Sequence, residues 1–281
     1  MATLTRLAVP SLLAIAATIT AITVTAIAQE SRTEAACDDE WAGGDRRNVH
    51  VCETREFTLT QENSVQIDGS PNGTVSVTGW DRNEIRIRAK IHTWDRNEQD
   101  ARQLLAGISI GTNRVLHAEG PDARSSWWPF RRRNGGWNVS FEVMAPYGTD
   151  LWIESVNGRI TVADMRGRTD VETVNGGISL TNVAASVRGR TVNGSISADL
   201  ADDTVDGDIL DLRTTNGRIV MGIPEDFSAK LDIATVNGRV SSDFPVTREG
   251  QRNREISATL GSGAAMIRAR TVNGGVQIKR L

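Results

Sequence analysis

The chain has 281 residues, of which 39% are hydrophobic and 24% charged, with a formal net charge of −3 at pH 7. This length suffices for one elongated domain or two small ones. The mild negative charge disfavours a nucleic-acid partner, because such proteins carry clustered positive charge.

Residues 1–28 predict a cleaved signal peptide. Arg6 precedes an apolar run that contains Pro10 and closes with the small-residue pattern Ala26-Ile27-Ala28. A transmembrane anchor is the alternative, but the many Ala and Thr residues and the proline disfavour it. We therefore expect an exported chain, periplasmic or on the cell surface or extracellular, that begins near Gln29. No later stretch is long and apolar enough to span a bilayer.

Residues 29–56 form an N-terminal segment that contains the only two cysteines, Cys37 and Cys52. In an oxidising compartment a lone pair predicts a disulfide. A thiol nucleophile or a metal pair is the alternative, which we disfavour because no histidine or further cysteine lies at ligand spacing in the sequence.

Residues 57–148 predict a looser β region that begins the repeat domain 57–281. Asn72-Gly73 leads into one strand, and strict alternation over residues 84–91 predicts another. Residues 97–106 are the only plausible helix, with Asp95 or Asn97 as its cap.

Residues 125–137 form the most unusual segment, which Pro129, Asn134 and two glycines mark as a loop or hairpin tip. Trp and Arg dominate binding hot spots and also suit a membrane interface. We expect either a cap on the end of the fold or a contact with a protein, glycan or lipid surface. The candidate contact residues are Trp127, Trp128, Phe130, Arg131, Arg132, Arg133 and Trp137.

Residues 149–281 repeat a four-letter signature six times, in the forms SVNG, TVNG and TTNG. Successive Asn-Gly pairs are separated by 18, 18, 23, 21 and 36 residues, and the last step reads as two coils, one without its signature. The predicted turns are Asn157-Gly158, Asn175-Gly176, Asn193-Gly194, Asn216-Gly217, Asn237-Gly238 and Asn273-Gly274.

Short alternating runs flank each pair, which predicts strand, turn and strand. Two all-β architectures satisfy this pattern: a meander of hairpins, or a single-chain β-solenoid of stacked coils of about 18–23 residues. We favour the solenoid because it alone explains the identical letters, through Asn side chains that stack in register from coil to coil.

The phase of the strands predicts which signature residues point outward. If Val171 and Thr173 face the core, Asn175 does too, and Val174 and its equivalents form an outward ladder. This ladder packs laterally along the sheet, or it forms a flat sticky face for a partner. The last repeat, residues 271–281, is expected to leave a free edge. Either Lys279 and Arg280 discourage end-to-end stacking there, or a partner covers the edge.

Residues 199–211 form an acidic loop that lengthens one coil. Clustered carboxylates at Asp202, Asp203, Asp206 and Asp208 could bind calcium, but their spacing matches neither an EF-hand nor the Gly-rich nonapeptide. We therefore expect a solvated loop and no cofactor.

The series Gly-x-Val-x-Val-x-Gly-Trp-Asp followed by repeated Thr-Val-Asn-Gly-x-Ile resembles the DUF4097 family, bacterial β-strand repeat proteins proposed as adhesins. The resemblance spans roughly residues 60–281. It implies a binding role at the cell surface and offers no catalytic residues to carry over.

Catalytic signals are scarce. The three histidines, His50, His92 and His117, lie in none of the common metal or nucleophile motifs. We therefore predict an exported, non-enzymatic β-repeat scaffold of the bacterial envelope that binds an envelope protein, a glycan or a lipid surface. The alternatives are a polysaccharide-acting enzyme on a β-helix, which needs two carboxylates in a groove, and a purely structural envelope component.

Overall fold

A computed structural model describes residues 29–35, 37, 47–121, 135–201, 209–246, 248–249 and 254–281. Within these ranges the chain is nearly all β. The elements of the first half are β1 Gln29–Ala35, β2 Val49–Thr60, β3 Ser64–Asp68, β4 Val75–Trp80, β5 Glu84–Asp95, α1 Glu98–Ala106, β6 Ser109–Gly111, β7 Val115–Glu119 and β8 Gly136–Pro146.

The remaining strands belong to the repeats. They are β9 Asp150–Ser155, β10 Ile160–Ala163, β11 Thr169–Asn175, β12 Ile178–Val183, β13 Val187–Asn193, β14 Ile196–Leu200, β15 Ile209–Asn216, β16 Ile219–Ile223, β17 Ala229–Asn237, β18 Val240–Ser242, β19 Arg248–Glu249, β20 Glu255–Leu260, β21 Ala265–Asn273 and β22 Val276–Arg280.

The strands form two open sheets of eleven strands each. Sheet A has the order β1-β2-β5-β8-β4-β10-β12-β14-β16-β22-β18, and sheet B has the order β19-β20-β17-β21-β15-β13-β11-β9-β3-β7-β6. The strands on the two sides of each Asn-Gly pair lie in different sheets and pair in parallel with the next coil. The predicted β-solenoid is therefore confirmed, and the hairpin alternative is wrong.

Equivalent apolar residues stack in register through the core. In sheet A one such ladder, each member at most 3% exposed, consists of Val75, Ile160, Ile178, Ile196, Ile219, Val276 and Val240. β-Branched side chains pack well on such a pleated surface. This ladder explains why a hydrophobic residue follows each Asn-Gly pair at a fixed offset.

The last repeat of the sequence does not form the last coil. Strand β21 lies between β15 and β17, and strand β22 lies between β16 and β18. The expected free edge at residues 271–281 is therefore wrong, because both strands of this coil have neighbours on both sides. The 36-residue step is explained by β20, which pairs antiparallel with β17 instead of forming another coil.

The other end of the solenoid is closed by antiparallel strands and the helix. Strands β3 and β4 form a first coil around Asn72-Gly73, and β8, β5, β2 and β1 extend sheet A beyond it. Helix α1 buries Ala101, Leu104 and Leu105. Its cap is Asn97, whose Oδ1 accepts from the backbone N–H of Asp100 at 2.8 Å. This helix, the only one in the described residues, is too short and polar to span a bilayer.

Candidate binding surface

Each position of the Thr-Val-Asn-Gly signature has its own physical role. The threonine hydroxyl donates to the carbonyl of the signature glycine in the neighbouring coil, at 2.9 Å from Thr191 Oγ1 to Gly176 O. Equivalent bonds of 2.7–3.2 Å are made by Ser155, Thr173, Thr214, Thr235 and Thr271. The hydroxyls thus satisfy carbonyls at the turns, where the two sheets meet.

The asparagines form one continuous hydrogen-bonded ladder. Each Nδ2 donates to the Oδ1 of the neighbouring asparagine at 2.8–3.0 Å, in the spatial order Asn72, Asn157, Asn175, Asn193, Asn216, Asn273 and Asn237. The predicted stacking is confirmed. The expectation that Asn175 points into the core is wrong, because it lies exposed at the turn.

The glycine is required because the backbones of neighbouring coils approach closely. A Cβ on Gly176 would lie 1.9 Å from the carbonyl oxygen of Gly158, and one on Gly194 would lie 1.9 Å from that of Gly176. Within the described residues, no signature asparagine has a positive φ. The turn therefore does not need the left-handed backbone that favours Asn-Gly in hairpins.

The valines of the signature point outward, as predicted. Their exposure ranges from 38% to 54%, and we call Val156, Val174, Val192, Val272 and Val236 the valine ladder. Thr215 takes the equivalent position in strand β15. The ladder forms an apolar stripe on the outer face of sheet B, directly beside charged residues.

The residue before the signature forms a second outward ladder, in which the charges are segregated. Its pairing order is Asp68, Glu154, Glu172, Arg190, Arg213 and Arg270, which we call the charge ladder. Three acidic residues are followed by three arginines, and Ala234 continues the row. The two halves meet at Glu172 and Arg190, whose side chains form an ion pair of 2.8 Å.

The arginines of the charge ladder are 45–57% exposed. Arg213 donates Nε and Nη2 to Asp211 at 2.9 and 2.8 Å, and Arg270 donates to Asp232 at 2.8 Å. The hydrogen bond to Glu172 raises the pKa of Arg190 above its ordinary value. Because exposed ion pairs contribute at most about 1 kcal/mol, these guanidinium groups can exchange partners at small cost.

Two shallow grooves run along these ladders. One of about 500 Å³ is lined by Glu154, Glu172, Arg190 and part of the valine ladder. The other, of about 590 Å³, is lined by Asp232, Glu255 and Arg270 among others. The outer face of sheet B thus combines two grooves, charged side chains and exposed apolar surface.

Most of the predicted aromatic and basic contact segment lies outside the described residues. Trp127, Trp128, Phe130, Arg131, Arg132 and Arg133 belong to this part, as do the candidate calcium ligands Asp202, Asp203, Asp206 and Asp208. Trp137 lies in β8, partly buried against the core, and donates its indole N–H to Pro121 O at 3.0 Å. This bond joins the described residues on the two sides of the segment.

Cys37 and Cys52 form the predicted disulfide. No histidine lies at ligand spacing in the sequence, but strand β5 pairs Cys52 with His92 in the folded chain. The ligand atoms of Cys37, Cys52 and His92 lie within 4.8 Å of one another, and His50 Nδ1 lies 2.8 Å from His92 Nε2. Burial, aided by the neighbouring His50, lowers the pKa of His92 to about 4.

The charge ladder is not predicted by the spacing of the Asn-Gly pairs, because its signal in the sequence lies in the residue before each signature. The residue before Ser155 or the signature threonine reads Glu, Glu, Arg, Arg, Ala and Arg along the chain. Stacking the repeats brings these residues into one row, but only the spatial order of the coils places the three arginines side by side.

Three similar solved structures share little sequence with this chain. A candidate cell adhesion protein from Clostridium sporogenes is 11% identical, with a TM-score of 0.40, and the match covers 81% of this chain and all of that one. A candidate adhesin from Bacteroides fragilis is 10% identical, with a TM-score of 0.34 and coverage of 84% and 98%. A candidate lipid binding protein from Parabacteroides distasonis is 11% identical, with a TM-score of 0.30 and coverage of 82% and 96%.

No curated protein matches the chain significantly. The family model described as Toastrack DUF4097 matches residues 136–279, just over half of the chain. The match runs from strand β8 to the last strand and includes all six Asn-Gly signatures. The chain therefore belongs to the Toastrack DUF4097 family.

Proposed function

We propose that the protein is an exported, non-enzymatic scaffold of the bacterial envelope, of the adhesion type, and that it binds through the outer face of sheet B. The observation that carries the proposal is the register of this face, where charge ladder and valine ladder run side by side along two grooves. Ladders of this kind place one outward side chain on every strand, about 4.8 Å apart, so that charges of the same sign lie side by side.

Export is supported by two independent features. The disulfide between Cys37 and Cys52 requires an oxidising compartment to persist. The apolar run that ends in Ala26-Ile27-Ala28 has the pattern of a signal peptide. Periplasm and cell surface both satisfy these conditions. Mass spectrometry of the secreted protein would test the cleavage, with Gln29 expected as the first residue.

Binding is tested by co-sedimentation of the purified protein with isolated bacterial envelopes. The triple variant R190A/R213A/R270A removes the basic half of the charge ladder. The matched control R86A/R88A/K90A removes three cations from β5, on the outer face of sheet A, where Arg88 and Lys90 pair with Glu142. We expect at least a tenfold loss of retention for the first variant only.

Equal retention of both variants and the wild type would contradict the assignment of this face. Absence of retention for all three would favour the purely structural alternative. Circular dichroism and thermal unfolding of each variant establish that the fold is intact before retention is compared.

The aromatic and basic segment at residues 125–137 is the second candidate contact. The hydrogen bond from Trp137 to Pro121 O joins two described residues on either side of this segment. It lies at the end of the fold where the antiparallel strands extend sheet A. A variant with Trp127, Trp128, Arg131, Arg132 and Arg133 changed to Ala, run in the same assay, separates this contact from the sheet B face.

The alternative of a polysaccharide-acting enzyme has one observation in its favour. Glu154 and Glu172 occupy paired positions on adjacent strands and line the same groove. Retaining glycosidases use two carboxylates about 5 Å apart. However, Glu172 is 48% exposed and paired with Arg190, on an open face that does not exclude water. Release of reducing ends from envelope glycans by the wild type, abolished in E154Q, would establish this alternative.

A further inference from the structure

The charge ladder differs from the ladder beside it in how its signs are ordered. Two residues earlier on each strand, the pairing order is Asp170, Arg188, Asp211, Arg268 and Asp232. These signs alternate, so neighbouring strands neutralise one another across the sheet. The charge ladder instead collects its negative charges on one half and its positive charges on the other.

A rotation of 180° about an axis parallel to the strands reverses the order of this row. The acidic half of one copy then faces the basic half of another copy. We propose that a second copy of this chain docks face to face on the outer face of sheet B, about a two-fold axis that runs parallel to the strands between Glu172 and Arg190. Isologous contacts of this kind pair each patch with its own counterpart. The inference rests on the proposed function, since it names the occupant of the same face.

The pairs that this axis creates follow from the register. Glu172 faces Arg190 of the second copy, Glu154 faces Arg213 of the second copy, and Asp68 faces Arg270 of the second copy, each pair occurring twice. A guanidinium has five N–H donors, of which Asp211 engages only two on Arg213. A carboxylate of a second copy can therefore be added without loss of the existing pair.

The valine ladder supports the same axis. A rotation about an axis parallel to the strands leaves each position along the strand unchanged. The valine ladder of one copy therefore faces the valine ladder of the other. Side chains that are 38–54% exposed in the single chain become covered, which adds an apolar stripe to the charged contacts.

The size of the patch sets the expected strength. Six strands at about 4.8 Å and five residues at about 3.3 Å give a face of about 29 by 16 Å, or about 460 Å² for each copy. This is about half of a standard interface, which buries about 800 Å² on each side. We expect weak association, micromolar or weaker, that becomes effective where many copies lie side by side on an envelope surface.

Two charge reversals test the pairing of Glu154 with Arg213. In a dimer of E154R, an arginine at position 154 faces Arg213 of the second copy at both contacts. In a dimer of R213E, a glutamate at position 213 faces Glu154 of the second copy at both contacts. Each variant alone should therefore associate at least tenfold more weakly than the wild type in sedimentation velocity at low salt. An equimolar mixture of E154R and R213E should recover association, because every contact between unlike variants is again of opposite charge.

The double variant E154R/R213E should also associate with itself, and E142R, on the outer face of sheet A, should behave like the wild type. Since the two single variants serve as each other's partner, recovery in the mixture also shows that both are folded. Monomeric wild type at concentrations up to about 1 mM, or no recovery in the mixture, would overturn the proposal.

Loss of envelope binding in R213E alone, with no effect of E154R and no recovery in the mixture, would indicate an anionic ligand instead of a second copy. Envelope retention of a strictly monomeric protein would overturn this inference and leave the proposed function standing. Self-association without envelope retention would contradict the proposed function and leave this inference standing.

Discussion

A methyl group added at Gly176 tests whether close approach of the coils is the reason for the signature glycine. The new Cβ would lie 1.9 Å from the carbonyl oxygen of Gly158 and 2.7 Å from its carbonyl carbon. Both atoms belong to the backbone, so the coils must separate by about 1.5 Å to reach ordinary contact.

The cost follows from the bonds that such a separation breaks. Asn175 N donates to Val156 O at 2.7 Å, Asn175 Nδ2 to Asn157 Oδ1 at 2.8 Å, and Thr173 Oγ1 to Gly158 O at 3.2 Å. Lengthened to more than about 4 Å, none of them remains a hydrogen bond. At about 0.5–1.5 kcal/mol each, their loss predicts that G176A lowers the free energy of unfolding by about 2–4 kcal/mol.

The adjacent Gly177 supplies a matched control. A Cβ there would lie 3.4 Å from Ser195 O, which is an ordinary contact. G177A should therefore change stability by no more than about 1 kcal/mol, in the stabilising direction, because alanine restricts the unfolded chain. Urea unfolding followed by circular dichroism compares the two variants. Stabilities within about 0.5 kcal/mol of each other would refute the close-approach argument.

Three further predictions concern single groups. T191V removes the hydroxyl that bonds Gly176 O at 2.9 Å and should cost about 1–2 kcal/mol by urea unfolding, whereas T215V at the exposed equivalent of the valine ladder should change stability by less than about 0.5 kcal/mol. N193D replaces a donor of the asparagine ladder by a carboxylate and should lower the free energy of unfolding by about 1 kcal/mol at pH 7. Part of this stability should return below about pH 4, where the carboxyl group is protonated and can donate again. A loss of stability that does not depend on pH would contradict this prediction. The pKa of His92 is about 4 in the folded state and about 6.5 in the unfolded state, so the unfolded state binds the extra proton first. The free energy of unfolding should therefore decrease as the pH is lowered from about 6.5 to about 4. Thermal unfolding of H92Q should lack this part of the pH dependence.

The architecture could be predicted from the sequence because each coil carries its own signature. A hydroxyl, an outward valine, an asparagine and a glycine recur at fixed offsets, and only stacking in register gives all four a reason. The alternation that follows each Asn-Gly pair then predicts the inward ladder that includes Ile178 and Ile196. The helix was predictable from Asn97 and the periodicity behind it.

The rest could not be predicted because local patterns do not identify neighbours in space. Identical signatures at Asn237 and Asn273 give no sign of which coil stacks on that of Asn216. Likewise His92 stands 40 residues after Cys52 and meets it only through antiparallel pairing of β2 with β5. Both cases depend on strand order, which the repeat itself leaves open.

The position of the last coil links strand order to the binding surface. If coils stacked in chain order, strand β17 would follow β15, and Ala234 would separate Arg213 from Arg270. Insertion of β21 between them places Arg270 directly beside Arg213 and moves Ala234 to the far side of Arg270. The basic half of the charge ladder is therefore completed only when residues 265–273 have docked. Because β21 pairs with β15 across more than fifty residues of sequence, this long-range pairing completes both the core and the surface that we propose for binding.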